Sequence, residues 1–166
     1  MKHFYLVCLL LMSNYLVQAQ TPGNPPTNCS GTQSNPTLRI SPSNATFTFN
    51  LSGSSLSDFT NSKTLNNTFT VTVSAAHAYT LYVAGEVTAQ TGSPTNTPIP
   101  INAFTVTAST PNGAATVPLS NQYLPIANNV PRNTSTQTLT VTLNPLNTYL
   151  QAPGTHSLTL YLYICD

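Results

Sequence analysis

Three acids, three histidines and three cysteines are all that this 166-residue chain offers for acid–base, metal or thiol chemistry. A serine nucleophile would need a histidine base and an acid to orient it. His3 lies in a short positive region at the N-terminus, ahead of an apolar stretch, so the bases are His77 and His156, and the acids Asp58, Glu86 and Asp166. His77 precedes a strand-like run and His156 opens another, places where histidines sit exposed beside turns. A two-carboxylate glycosidase needs both acids to flank one cleft. Asp166 is the last residue, and Asp58 and Glu86 both read as loop or edge residues. There is no Gly-rich phosphate loop, no cluster with metal-ligand spacing and no acid-rich Ca²⁺ loop. The expectation is a non-catalytic protein with no cofactor and no metal.

Two other residue types invite a role. Tyr161 and Tyr163 fall on one face of the last strand-like run, and Tyr82 lies opposite the apolar row of its own run, so Tyr82, Tyr161 and Tyr163 are candidates for ligand contact. Aromatic faces can stack on sugar rings, although tyrosine on a sheet face also serves ordinary cross-strand packing. Lys63, the one lysine beyond residue 19, stands among Asn61, Ser62 and Thr64 and reads as a solvated turn rather than an isopeptide donor. Five Asn-x-Ser/Thr acceptors, at Asn28, Asn44, Asn50, Asn66 and Asn133, matter only in a host that glycosylates them.

The N-terminus reads as an export signal. Lys2 and His3 form a short positive region, Phe4–Met12 an apolar one, and Val17-Gln18-Ala19 a processing site with cleavage before Gln20. The apolar run is shorter than the roughly 20 residues a membrane span requires. Cys8 lies inside it, preceded by Val7 where a lipidation signal wants a small residue. Residues 1–19 are therefore expected to be a signal peptide, and the chain secreted, extracellular or at the cell surface.

Beyond residue 19, Arg39, Lys63 and Arg132 balance Asp58, Glu86 and Asp166. With no basic stripe to neutralise phosphates, nucleic acid is excluded as a partner. A polybasic membrane patch is absent too. Solubility must come from Thr, Ser and Asn. Cys29 and Cys165, near the two ends of what remains, read first as one disulfide in an oxidising compartment. Intermolecular pairing and free thiols stand as alternatives.

The elements that would position these residues are strands. Phe47/Phe49/Leu51, Phe69/Val71/Val73, Tyr79/Leu81/Val83, Phe104/Val106, Leu139/Val141/Leu143 and Leu158/Leu160/Leu162/Ile164 each alternate with Thr, Asn or Tyr. Alternate side chains of a strand point to opposite faces, so each run buries one face and wets the other. Weaker strand signals lie at 37–40 and 114–119. Pro111-Asn112-Gly113 and Ala152-Pro153-Gly154 read as turns, 93–100 as a proline-rich loop and 128–133 as a break. Short helical turns have room near 119–126 or 145–150. Six apolar rows need a second layer to cover them. The expected fold is an all-β, antiparallel, immunoglobulin-like β-sandwich of about 7–9 strands over residues 37–166, preceded by a polar Pro/Asn-rich leader, 20–36, that is irregular or extended along a surface.

The segment Leu150–Tyr163, a Pro-Gly turn leading into alternating Thr and apolar residues, resembles the terminal strand of bacterial secreted domains of the pilin-like and spore-coat-protein-U-like kinds. The Trp signature of the similar WxL wall domains is missing. The resemblance implies bacterial cell-surface or filament biology, with self-assembly or other surface proteins as partners. The expected function is thus a secreted, non-catalytic structural or adhesive cell-surface protein, such as a subunit of a surface appendage or coat. The alternative is a small extracellular glycan- or protein-binding module.

Overall fold

A computed structural model describes residues 22–27, 29, 38–41, 43–51, 60–64, 69–91, 99–145 and 154–166. The expected signal peptide, 1–19, Asp58 and the turn at 152–153 lie outside the described residues, as do most of the leader and most of the 93–100 loop.

Each of the six alternating runs is a strand, and both weaker signals are strands as well. In chain order they are β1 (Leu38–Ser41), β2 (Asn44–Leu51), β3 (Lys63–Thr64), β4 (Phe69–Ala75), β5 (Tyr79–Thr91), β6 (Phe104–Thr110), β7 (Gly113–Pro118), β8 (Leu124–Val130), β9 (Asn133–Leu143) and β10 (Gly154–Cys165). One sheet runs β1-β4-β9-β6-β7, with β3 also on β9; the other runs β2-β10-β5-β8. Every pairing is antiparallel. The two sheets enclose one core, in which Val71, Val73, Leu81, Phe104, Val106, Leu139, Val141, Leu158, Leu160 and Ile164 are fully buried. This is the all-β antiparallel sandwich that the alternation implies.

Its connectivity is of a particular kind. Except for β3 to β4 and the β6–β7 hairpin, each successive strand lies in the opposite sheet. With β2 and β4–β10 as eight strands, the layers β2-β10-β5-β8 and β4-β9-β6-β7 have the order of a jelly roll, two Greek keys wrapped together. An immunoglobulin-like chain keeps its first two strands side by side in one sheet; here β1 and β2 lie in different sheets. Alternation reveals which face of a strand is buried, but not which strand lies beside it, so it could yield the sandwich without its order.

Local chemistry explains the hairpin. Gly113 has φ 111°, a region costly for any side chain. Within the turn, Thr110 Oγ1 donates to the Gly113 carbonyl at 2.8 Å and accepts from the Asn112 N–H at 3.2 Å. The threonine faces satisfy one another across strands: Thr107 meets Thr116 at 2.7 Å and Thr46 meets Thr159 at 3.0 Å, hydroxyl to hydroxyl.

Two expectations about 119–133 give way. No helical turn forms at 119–126, and the break at 128–133 is narrower, since β8 continues to Val130 and β9 begins at Asn133. β8 hides its nature because it is irregular. Pro125 and Asn128–Asn129 interrupt the alternation, the register against β5 shifts twice, and Asn129 takes φ 50°, which asparagine tolerates better than most residues. The one 3₁₀ turn among the described residues is Ile101–Ala103.

The loop between β7 and β8 is pinned to β5 at Gly85. Its N–H donates to the Ser120 carbonyl at 2.8 Å, and a Cβ there would run into the side chains of Leu119 and Ile101. Gly85→Ala is therefore expected to cost about 1–3 kcal/mol by overpacking, read as a lower denaturant midpoint. The penalty should shrink in a Leu119→Ala background, since the two positions share one space.

Candidate functional site: a tyrosine face beside the disulfide

β5 and β10 are neighbours in the middle of the four-stranded sheet, and their pleat decides what faces outward. β10 sends Leu158, Leu160, Leu162 and Ile164 into the core and therefore Thr159, Tyr161, Tyr163 and Cys165 to the outer face. β5 sends Leu81 and Val83 inward, leaving Tyr82, Ala84 and Glu86 outward. The register sets Tyr163 directly across from Tyr82, Tyr161 from Ala84, Thr159 from Glu86 and Cys165 from Thr80. All three sequence-derived ligand candidates, Tyr82, Tyr161 and Tyr163, thus share one face.

Two further residues complete the group. Tyr123, from the loop before β8, sets its ring edge-on to Tyr163, with centroids 6.0 Å apart and planes at 64°. Glu86 is 7% exposed, and Tyr161 reaches diagonally to donate its hydroxyl to Glu86 Oε2 at 2.8 Å. Ala84, opposite Tyr161, is fully buried although it lies on the outer face. Glu86 is therefore neither a loop nor an edge residue. The run Tyr79–Val83 continues through Ala84-Gly85-Glu86-Val87 with its alternation intact, and the glycine disguises that continuation. No sequence signal marks Tyr123, whose position depends on the course of a loop.

The hydrogen bond to Glu86 raises the Tyr161 hydroxyl above its ordinary 10.0, with burial and then the charge of Glu86 and the proximity of Tyr123 adding to it. Burial, and then Tyr163, likewise raises Tyr123. A hydroxyl kept protonated by the fold contributes stability that is complete below pH 10 and is lost as pH rises through the higher folded value. Ultraviolet titration of tyrosinate should thus show a late-ionising component that Tyr161→Phe removes and Glu86→Gln moves toward ordinary tyrosine.

The face is bordered by the leader. Cys29 is bonded to Cys165 with their Cα atoms 5.2 Å apart, which realises the expected disulfide. Cys165 follows Tyr163 by two residues on the same face. At the other side the Gly23 N–H donates to the Asn121 carbonyl at 2.6 Å, two residues before Tyr123. The end of the exposed Gln122 side chain also lies close over Gly23. Among the described leader residues there is no helix or strand, and the segment is held at two points.

The residues considered for catalysis are dispersed. His77 is exposed at a bend. His156 corrects its expectation: it is fully buried, stacked on Phe49 with centroids 5.5 Å apart and planes at 17°, because it shares the inward parity of Leu158 and Leu160. His156 and Glu86 thus occupy opposite faces of one sheet. Lys63 is not in a solvated turn but half-buried in β3, with Nζ 3.5 Å from the Asn50 carbonyl. Among the described residues no group of three or more His, Cys, Asp or Glu could hold a metal ion, and no helix is long and apolar enough to cross a membrane.

Fold and face together define a disulfide-closed jelly-roll sandwich with a tyrosine-lined outer surface. Comparison with protein-family models, with curated proteins and with solved structures gave no match to the chain.

Proposed function

We propose that the chain acts outside the cell as a non-catalytic structural or adhesive surface protein, in the manner of a subunit of a bacterial coat or appendage. The observation that carries this reading is the Cys29–Cys165 bond, which spans 136 residues and joins the leader to the last strand. Such bonds persist in oxidising compartments, in keeping with the signal-like residues 1–19. The hydroxyl-paired, nearly uncharged faces suit a protein that endures in an extracellular setting. The separation of His156 from Glu86 supports the absence of catalysis.

The test is expression of the full chain in a bacterial host with fractionation and mass measurement. The expected product begins at Gln20, carries the disulfide and is reached by protease or antibody on intact cells. An unprocessed, reduced chain confined to the cytoplasm would refute the proposal.

One observation favours the second reading, a small glycan- or protein-binding module: Tyr82, Tyr161 and Tyr163 converge on one surface with a carboxylate among them. Adhesion of purified protein to cells, lost on Tyr163→Ala, would support it.

A further inference from the structure

We infer that the outer face formed by Tyr82, Tyr123, Tyr161, Tyr163 and Glu86 is a binding site for a neutral carbohydrate; this rests on the binding-module reading and gives it a ligand class. The cluster holds two kinds of group that sugars need at once. Aromatic rings offer negatively polarised faces to the C–H side of a pyranose. Glu86, as a carboxylate, has about four lone-pair positions, and the Tyr161 hydroxyl takes one of them on Oε2. Because Glu86 is 7% exposed, a sugar hydroxyl reaches it at the small open part of the carboxylate, in a hydrogen bond roughly twice as strong as a neutral one.

Tyr161 acts here as a positioning residue. It holds Glu86, only 7% exposed, in a fixed place. Thr159, across from Glu86, bonds to Thr46 at 3.0 Å and extends the polar side of the face with hydroxyls that both donate and accept. Tyr123 and Tyr163, edge to face at 64°, form a corner, and the leader held at Gly23 and Cys29 borders it.

Charge selects among glycans. β2, β5, β8 and β10 contain no lysine or arginine, so this sheet carries no partner for a sialic acid carboxylate or a sulfate, and Glu86 repels both. A protein partner fits less well, because a specific interface takes about 800 Å² from each side, more than a few half-buried rings present. A quaternary ammonium would want rings on several sides, whereas Tyr123 and Tyr163 are packed against each other.

The experiment is calorimetric titration of the processed, oxidised full-length protein with gluco-, galacto- and manno-configured neutral oligosaccharides, a sialylated one and choline. The expected result is saturable binding of at least one neutral oligosaccharide. Tyr163→Ala and Glu86→Gln should each weaken it about tenfold, the loss of one stacking or charge-assisted contact, whereas Tyr163→Phe, which keeps the ring, stays within about threefold. Thermal melts of each variant separate lost binding from lost fold. Tighter binding of the sialylated sugar or of choline overturns the assignment. So does the absence of saccharide binding alongside Tyr163-dependent adhesion to cells, which would leave the binding-module reading intact. Neither saccharide binding nor adhesion would remove both.

Discussion

Replacing Cys29 and Cys165 together by serine is expected to lower the unfolding free energy by about 2–5 kcal/mol, with the chain-entropy account placing a loop of this length near the top of that range. The bond ties residues 136 apart, so it removes extended conformations of the unfolded chain that nothing else restricts. In a domain of this size, each kcal/mol is worth about 2–4 °C, so the melting temperature should fall by roughly 4–20 °C. Wild type melted in reductant should coincide with the double variant, because both lose the same constraint. Equal stability of oxidised and reduced wild type would contradict the prediction. A local consequence separates the leader from the sandwich. Without the bond, the described leader keeps the Gly23–Asn121 hydrogen bond, worth about 1 kcal/mol on average. Hydrogen exchange at the Gly23 amide should then quicken well before the amides of β9 and β10 respond.

That separation shows why some parts of the protein are legible in its sequence and others are not. The regular strands are legible because burial on one face writes a period of two, and β10 states it most fully: His156, Leu158, Leu160, Leu162 and Ile164 all face inward. The same rule includes His156, whose residue type suggests the surface while its parity places it in the core. Parity won because the stacked ring of Phe49 gives imidazole an aromatic neighbour. β8 was illegible for the complementary reason, its pattern being broken by Pro125 and by Asn129 at φ 50°. Gln137, buried in β9, follows parity as His156 does. It is polar in type but shares the inward parity of its strand's apolar row, Leu139, Val141 and Leu143, and its amide donates to the Tyr79 hydroxyl at 3.2 Å, linking the two sheets through the core.

The candidate site was half legible. Tyr161 and Tyr163 are two residues apart on one strand, so their common face follows from the pleat alone. That Tyr82 joins them depends on β5 lying beside β10 in a register where Tyr82 meets Tyr163. A slip of one residue would have turned Tyr82 and Glu86 inward. Register between strands so distant in sequence is fixed by the packing of both sheets, and no local motif records it. The face is therefore a property of the jelly-roll order: β5 and β10 are strangers in the chain and neighbours in the sheet.

That order also dictates where the core is most vulnerable. Phe104, the first residue of β6, belongs to the six-stranded sheet and is fully buried. Its ring meets Phe49 of the opposite sheet edge-to-face, 5.6 Å between centroids and 69° between planes, and Phe49 in turn stacks on His156. The three rings thus cross from one layer to the other. Phe104→Ala should cost about 3–5 kcal/mol, combining lost transfer energy with the cavity left where two sheets meet. Phe69→Ala supplies the contrast. Phe69 also makes an edge-to-face pair, with Phe47 at 6.1 Å, but it is only half-buried at the start of β4. Water can fill part of its space, so its loss should be clearly smaller. Phe104→Leu keeps most of the volume and should retain most of the stability. Denaturant unfolding checks all three, with the midpoint moving while the slope holds if the unfolded state is unchanged. Equal losses for Phe104→Ala and Phe69→Ala would mean that the sheets are not clamped at Phe104, because only burial between the layers distinguishes two otherwise similar aromatic pairs.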